Sequence, residues 1–164
     1  MADPAHEIGI RQMDVADVPG VYALDVLSFS LPWTERSFYY EVTGNVNARN
    51  WVAELSHEGT TRLVGMLVMW LFLDEAHIAT LAVHPDFRRR GIARKILQTA
   101  LSAAYNEGAC RSLLEVRAGN LAALNMYKGF GFKIVGRRNH YYHDNDEDAI
   151  LMTLDSFPSF LSAQ

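Results

Sequence analysis

Cysteine is nearly absent from this chain of 164 residues, because Cys110 is the only one. A single thiol excludes a disulfide within the chain and favours the reducing cytoplasm as its compartment. Cys110 follows Gly108-Ala109 with no adjacent histidine or other base, so it is a poor candidate for a nucleophile. We therefore expect a small buried residue at the end of a turn.

Long apolar runs are also missing. The longest, residues 66–73, has eight residues, whereas a helix that crosses a bilayer needs about 20. This run is typical of a buried strand. The acidic residues Asp3 and Glu7 stand where a secretory signal would carry basic ones. We therefore predict a cytoplasmic protein without a membrane partner.

The chain has no excess of positive charge. Its 15 basic and 19 acidic residues give a net charge of −4, which argues against a broad surface for nucleic acid. Apolar residues make up 49% and charged residues 21%, which is typical of a globular protein. We predict a single domain over residues 1–164, with its core at about residues 6–155.

The chain also lacks the familiar nucleotide-binding motifs, the Walker loop and the fingerprint with three glycines. It has instead the string Arg88-Arg89-Arg90-Gly91-Ile92-Ala93 between a predicted strand and a predicted helix. The first N–H groups of such a helix, with the arginines, would bind a phosphate, and Gly91 would let the backbone approach it. For the isolated string, a solvated basic helix start is the better interpretation.

Hydrophobic periodicity and turn residues predict a mixed α/β or α+β protein with one central sheet. The predicted order is strand, two helices, three strands, helix, strand, helix and two strands. Asp14 is placed to cap the first helix, and Asn45, Asn47 and Asn50 mark a loop. The strands are predicted at residues 7–13, 51–55, 62–73, 75–83, 112–116, 132–138 and 149–154, and the helices at 18–26, 34–42, 92–107 and 121–128.

Several motifs together resemble the GNAT superfamily of acetyltransferases. Arg88, Gly91 and Ala93 occupy the fixed positions of its acetyl-CoA loop, Arg/Gln-x-x-Gly-x-Gly/Ala. Other strings look like its RimI-type branch, which acetylates protein N-termini, and they follow in the right order over nearly the whole chain. They are Pro32-Trp33, Asp74-Glu75-Ala76, Leu114-Glu115-Val116-Arg117-Ala118-Gly119-Asn120, Tyr127, Gly131-Phe132, Tyr141-Tyr142 and Glu147-Asp148-Ala149.

The resemblance implies a single GNAT-like domain with a mixed, mostly antiparallel central sheet flanked by helices. Two central strands, ending at Val83 and Val116, would splay apart and admit the pantetheine arm of acetyl-CoA, the co-substrate; no metal is implied. The implied cofactor-binding residues are Leu81, Ala82 and Val83 through their backbone, Arg88, Arg89, Arg90, Gly91, Ile92, Ala93 and Arg94 around the phosphates, and Asn120 beside the arm.

Acetyl transfer to an amine needs a base for the amine and an acid for the departing thiolate. The resemblance assigns the base to Glu115, acting through a water, and the acid to Tyr127. Without the resemblance, Glu115 would be interpreted as an edge-strand carboxylate paired with Arg117 or Arg111, and Tyr127 as core packing. Asn120 would cap the helix that carries Tyr127, whether or not it contacts the cofactor.

The acceptor implied by the resemblance is the N-terminus of a protein, such as a ribosomal protein that begins with alanine. Pro32, Trp33, Tyr141 and Tyr142 are where the family grips the peptide, although aromatic residues there could equally form hydrophobic lids. Two alternatives stay open, namely a GNAT enzyme for a small amine (a polyamine, an amino acid or an antibiotic) and a non-catalytic acyl-CoA-binding module.

Histidines and aspartates near the C-terminal end also resemble metal ligands in composition, though not in spacing. We interpret them as a solvated loop. They are His140, His143, Asp144, Asp146 and Asp148.

Overall fold

A computed structural model describes residues 7–157. The predicted order of elements is confirmed in this part of the chain. The strands are β1 (Glu7–Gln12), β2 (Ala48–His57), β3 (Thr60–Phe72), β4 (Glu75–Val83), β5 (Arg111–Arg117), β6 (Lys133–Tyr142) and β7 (Glu147–Leu154). The helices are α1 (Val18–Ser28), α2 (Glu35–Thr43), α3 (Ile92–Asn106) and α4 (Leu121–Phe130), with short 3₁₀ turns at Val15–Asp17 and Pro85–Phe87.

The strands form one sheet in the order β1-β2-β3-β4-β5-β7-β6. β4 pairs with β5 in parallel, from Glu75 opposite Arg111 to Ile78 opposite Leu114, as expected for two strands joined by a crossover helix. The pairs β1–β2, β5–β7 and β6–β7 are antiparallel. The predicted mixed, mostly antiparallel sheet is confirmed.

The described residues form two compact units. The first holds residues 7–69 and 80–100, and the second holds residues 70–79 and 101–157. In the first unit α3 packs closely on β3 at Gly65, where an added Cβ would lie 2.7 Å from Ile96 Cδ1. This contact fixes the start of α3 next to the end of β4.

Each unit has its own apolar core, built from the inward positions of strands and helices. None of the helices in residues 7–157 is long and apolar enough to span a membrane. Core residues of the first unit are Val21, Phe38, Val52, Met66, Leu67, Ile96 and Leu97; those of the second are Leu101, Ala104, Leu114, Met152 and Phe157.

Three local predictions were wrong. Asp14 caps the 3₁₀ turn at Val15–Asp17 and not α1 itself. Asn50 lies inside β2 and not in a loop. Its side-chain amide donates to the backbone carbonyl of the buried Glu41 (3.1 Å), which replaces the hydrogen bond to water that it would make in a loop. Cys110 is exposed and not buried. Its thiol donates to the Asp74 carboxylate (3.1 Å), and this hydrogen bond raises the pKa of the thiol.

Candidate active site

The predicted phosphate loop follows β4 directly. His84 ends the strand, and its Nδ1 accepts a hydrogen bond from the Asp86 N–H (3.1 Å) at the start of the 3₁₀ turn. Arg88 then donates from Nε to the Val83 carbonyl (3.0 Å). Arg88 therefore holds the loop against the end of β4, so its geometry fits a role in shaping the loop.

The loop backbone turns sharply before α3. Arg89 and Gly91 both have positive φ, 64° and 75°, and the Gly91 carbonyl accepts from the Lys95 N–H (3.1 Å) to open the helix. An added Cβ on Gly91 would meet no described atom within 4 Å. The space beside the helix start is therefore open at Gly91, as a phosphate site there requires.

The arginines of this loop differ in their surroundings. Arg90 lies over the Phe87 ring at 5.2 Å, and Arg62 of β3 lies over the same ring at 5.1 Å. Arg62 also contacts His84, with 3.2 Å between Nη2 and Nε2. Sequence reasoning missed Arg62, because it lies far from the loop along the chain and belongs to no local motif.

The other predicted cofactor positions in this unit differ in burial. Ile92 is buried in the core and Ala82 and Val83 are buried in β4, so only their backbone groups could meet a ligand. Leu81 and Ala93 are half-buried, and Arg89 and Arg94 are exposed.

Glu115 lies on β5, where alternation buries Ser112, Leu114 and Val116 and leaves Glu115 half-buried on the opposite face. β5 is an inner strand between β4 and β7. The alternative of an edge-strand carboxylate is therefore wrong.

The partners that this alternative gave Glu115, Arg117 and Arg111, are also wrong. The Glu115 carboxylate lies 3.3 Å from Nη2 of Arg138 on β6. Arg111 pairs with Glu75 (2.6 Å), and Arg117 pairs with Asp144 and Glu147 instead.

Arg138 links the candidate base to the aromatic pair near the C-terminal end. Its guanidinium lies 5.5 Å from the centre of the Tyr141 ring, and Tyr141 packs edge-on against Tyr142 at 5.1 Å. Arg117 covers the Tyr142 ring at 3.9 Å. The second unit thus brings together Glu115, both tyrosines and Arg138.

Tyr127 is buried on α4, with 6% of its surface exposed. Its ring packs edge-on against Phe132 at 5.5 Å. Burial raises the pKa of the phenol well above its ordinary value near 10. Asn120 caps the helix as predicted, because its side-chain oxygen accepts from the Ala123 N–H (3.2 Å), which leaves its amide group to donate elsewhere.

The predicted solvated loop is confirmed for His143, Asp144 and Asp146, which lie in the exposed turn 143–146. It is wrong for His140 and Asp148, because β6 extends through Tyr142 and β7 begins at Glu147. His140 has a φ of 52° where the register of β6 with β7 shifts. Its N–H donates to Asp148 (2.8 Å), and its Nδ1 lies 2.7 Å from an Asp146 oxygen. Among residues 7–157 no three histidine, cysteine or carboxylate side chains are grouped as metal ligands.

Pro32 and Trp33 lie on an open groove of about 650 Å³ in the first unit. The Trp33 ring stacks on the buried Phe38 ring at 5.3 Å, and Thr34 caps α2 by accepting from the Ser37 N–H (3.1 Å). Sequence reasoning named only Pro32 and Trp33 here, although helical spacing in α2 places more side chains beside them. The groove is also lined by Thr34, Arg36, Ser37, Tyr40 and Glu41.

Comparison with known proteins gives one consistent result. Residues 18–132 match the acetyltransferase (GNAT) family model. The [ribosomal protein bS18]-alanine N-acetyltransferase of Escherichia coli (strain K12) is 31% identical over 147 residues, which cover 88% of this chain and 95% of that protein. An N-alpha-acetyltransferase of Sulfurisphaera tokodaii is 32% identical over 168 residues, covering 92% and 95%.

The solved structures agree with the sequence relatives. The crystal structure of the ribosomal-protein-S18-alanine N-acetyltransferase from Escherichia coli superposes with a TM-score of 0.80 and 30% identity. The match covers 90% of this chain and 93% of that one.

Proposed function

This chain belongs to the GNAT family of acetyltransferases, and we propose that it acetylates the α-amino group at the N-terminus of a protein, with acetyl-CoA as donor. The observation that carries the proposal is the pair of groups in the second unit, a half-buried carboxylate (Glu115) and a buried phenol (Tyr127). A relative that acetylates a ribosomal protein makes an alanine-initiated ribosomal protein the acceptor we favour.

The reaction assigns each group one task. The acceptor nitrogen attacks the thioester carbonyl, so that a C–N bond forms and the C–S bond breaks. Glu115, through a water, takes the proton that the nitrogen loses, and Tyr127 donates its proton to the departing thiolate. Arg138 lies 3.3 Å from the Glu115 carboxylate and would hold it in place.

The phosphates of acetyl-CoA would bind at the start of α3. The Cβ position of Gly91, at the helix start, borders open space, and the exposed Arg89, Arg90 and Arg94 supply positive charge beside it. Arg88 keeps the loop in shape through its bond to Val83. Asn120 would donate its amide to the pantetheine arm, and the backbone of residues 81–83 would pair with it.

A single carboxylate base suits an α-amine better than a lysine. Neutralising an α-amine at pH 7 costs about 1 kcal/mol, whereas a lysine amine costs nearly 5, as estimated from reference pKa values of about 7.8 and about 10.4. The first residues of the acceptor would be held by Pro32 and Trp33, with the groove beside them, and by Tyr141 and Tyr142. A ribosomal acceptor and the single cysteine, Cys110, support our proposal that this activity is cytoplasmic.

The proposal is tested by offering the protein a panel of short peptides that differ in their first two residues, together with free lysine and spermidine. We expect acetyl on the α-amine of an alanine-initiated peptide, with internal lysines unmodified, as read by fragment mass spectrometry. Label on lysine, or a preference for spermidine over every peptide, would contradict the N-terminal assignment and favour the small-amine alternative. Binding of acetyl-CoA without any transfer would favour the non-catalytic module.

The phosphate loop is tested by Gly91→Val. The new side chain would occupy the space next to the helix start, so affinity for acetyl-CoA in calorimetry should fall about 100-fold, equal to about 2.7 kcal/mol. Gly59→Val is the matched control, because Gly59 has a similar φ of 79° and equally open surroundings but lies in the β2–β3 hairpin. Equal affinity of the Gly91 variant and the control would move the site elsewhere.

A further inference from the structure

Asp25 is a fully buried carboxylate on α1, with none of its surface exposed. Its Oδ2 accepts a hydrogen bond of 2.7 Å from the backbone N–H of Trp33, eight positions along the chain. Its Oδ1 is also buried and has no hydrogen-bond partner among the described residues. One oxygen of this side chain therefore serves the segment that follows α1, and the other is left without compensation.

This arrangement is costly for stability. A buried carboxylate with one unpaired oxygen has lost its hydrogen bonds to water, and the protein replaces only part of them. Burial accordingly raises the pKa of Asp25, and the Trp33 N–H opposes that shift. Asp25 also lies near the C-terminal end of α1 (Val18–Ser28), where the helix dipole disfavours a negative charge. A residue selected for stability alone would not combine these features.

The hydrogen bond acts on the residue that lines the acceptor groove. Trp33 is fixed at two points: its backbone N–H by Asp25 and its ring by the stack on Phe38 at 5.3 Å. Phe38 is itself fully buried in the core. The two contacts together set the position of Pro32 and Trp33 at the edge of the groove.

We propose that Asp25 is a positioning residue for acceptor binding: its carboxylate holds the Trp33 N–H and so keeps residues 29–34 in the conformation that receives the acceptor. The inference rests on the proposed function, which assigns the groove to the acceptor. Asp25 does not touch the reacting atoms and acts only through Trp33. Its loss should therefore weaken acceptor binding and leave the chemical step and acetyl-CoA binding unchanged.

The experiment compares Asp25→Ala, which removes the acceptor of the hydrogen bond, with Asp25→Asn, whose amide oxygen can still accept it. Steady-state kinetics on the best peptide of the panel should show a peptide KM raised about tenfold in the alanine variant, with kcat and the acetyl-CoA KM within about twofold of wild type. The asparagine variant should restore the wild-type KM. Hydrogen exchange at the Trp33 amide should become faster in the alanine variant and stay slow in the asparagine variant.

The outcomes separate this inference from the proposed function. A wild-type protein that acetylates no peptide would contradict the proposed function and remove the basis of this inference. With an active wild type, an unchanged peptide KM in Asp25→Ala overturns the positioning role, and so does a parallel change of kcat and both KM values. If Asp25→Ala unfolds at the assay temperature, Asp25→Val fills the space without an acceptor, and the same two results decide.

Discussion

Glu115→Gln should lower acetyl transfer to an α-amine peptide by about 10²–10⁴-fold at neutral pH, the contribution of one general base. Glutamine keeps the shape of the side chain and can still accept from Arg138, which lies 3.3 Å from the carboxylate. The strand β5 and its pairing with β7 should therefore be unaffected. What the variant loses is the ability to take a proton from the acceptor nitrogen.

Raising the pH should recover part of the lost rate, because the α-amine becomes neutral without help as the pH passes about 8. Glu75→Gln is the matched control, since Glu75 lies on the neighbouring strand β4 and pairs with Arg111 in the same unit. This control should keep wild-type kcat/KM. A Glu115 variant as active as the control across the pH range would remove Glu115 from the mechanism.

The sequence predicted the elements of this fold because each follows a local pattern. The alternating run of β4 and the helical spacing of α3 were found with bounds within one residue of those observed. β2 starts three residues earlier than predicted, because Asn50 meets the Glu41 carbonyl of α2, a partner that no local pattern reveals. The splay of β4 and β5 beyond Ile78 and Leu114 stays a prediction.

The candidate site was predictable where it depends on a contiguous motif and not where it depends on strand order. The loop at Gly91 and the cap at Asn120 have the geometry that their motifs indicate. The partner of Glu115 could not be predicted, because Arg138 comes beside it only when β7 inserts between β5 and β6. Asp25 went unnoticed for a similar reason, since its burial depends on how α1 and the following segment fold together.

Tyr127→Phe should lower kcat about 10²-fold or more, the second largest effect we expect. The phenylalanine ring should keep the edge-on packing against Phe132, so the acetyl-CoA dissociation constant should change little. The missing hydroxyl removes the proton for the departing thiolate. Stopped-flow or steady-state assays with saturating acetyl-CoA would measure the loss, and calorimetry would confirm that binding is intact.

The pH dependence gives a second test of Tyr127. Because burial raises the pKa of its phenol, the protonated form that can donate persists through neutral and mildly alkaline pH. Any fall of wild-type kcat between about pH 8 and pH 9, below the ordinary phenol pKa of about 10, should therefore remain in Tyr127→Phe. Tyr105→Phe, a change at a partly exposed tyrosine of α3, serves as the control. An unchanged kcat in Tyr127→Phe would exclude the phenol as the acid, and a raised acetyl-CoA KM alone would make it a binding residue.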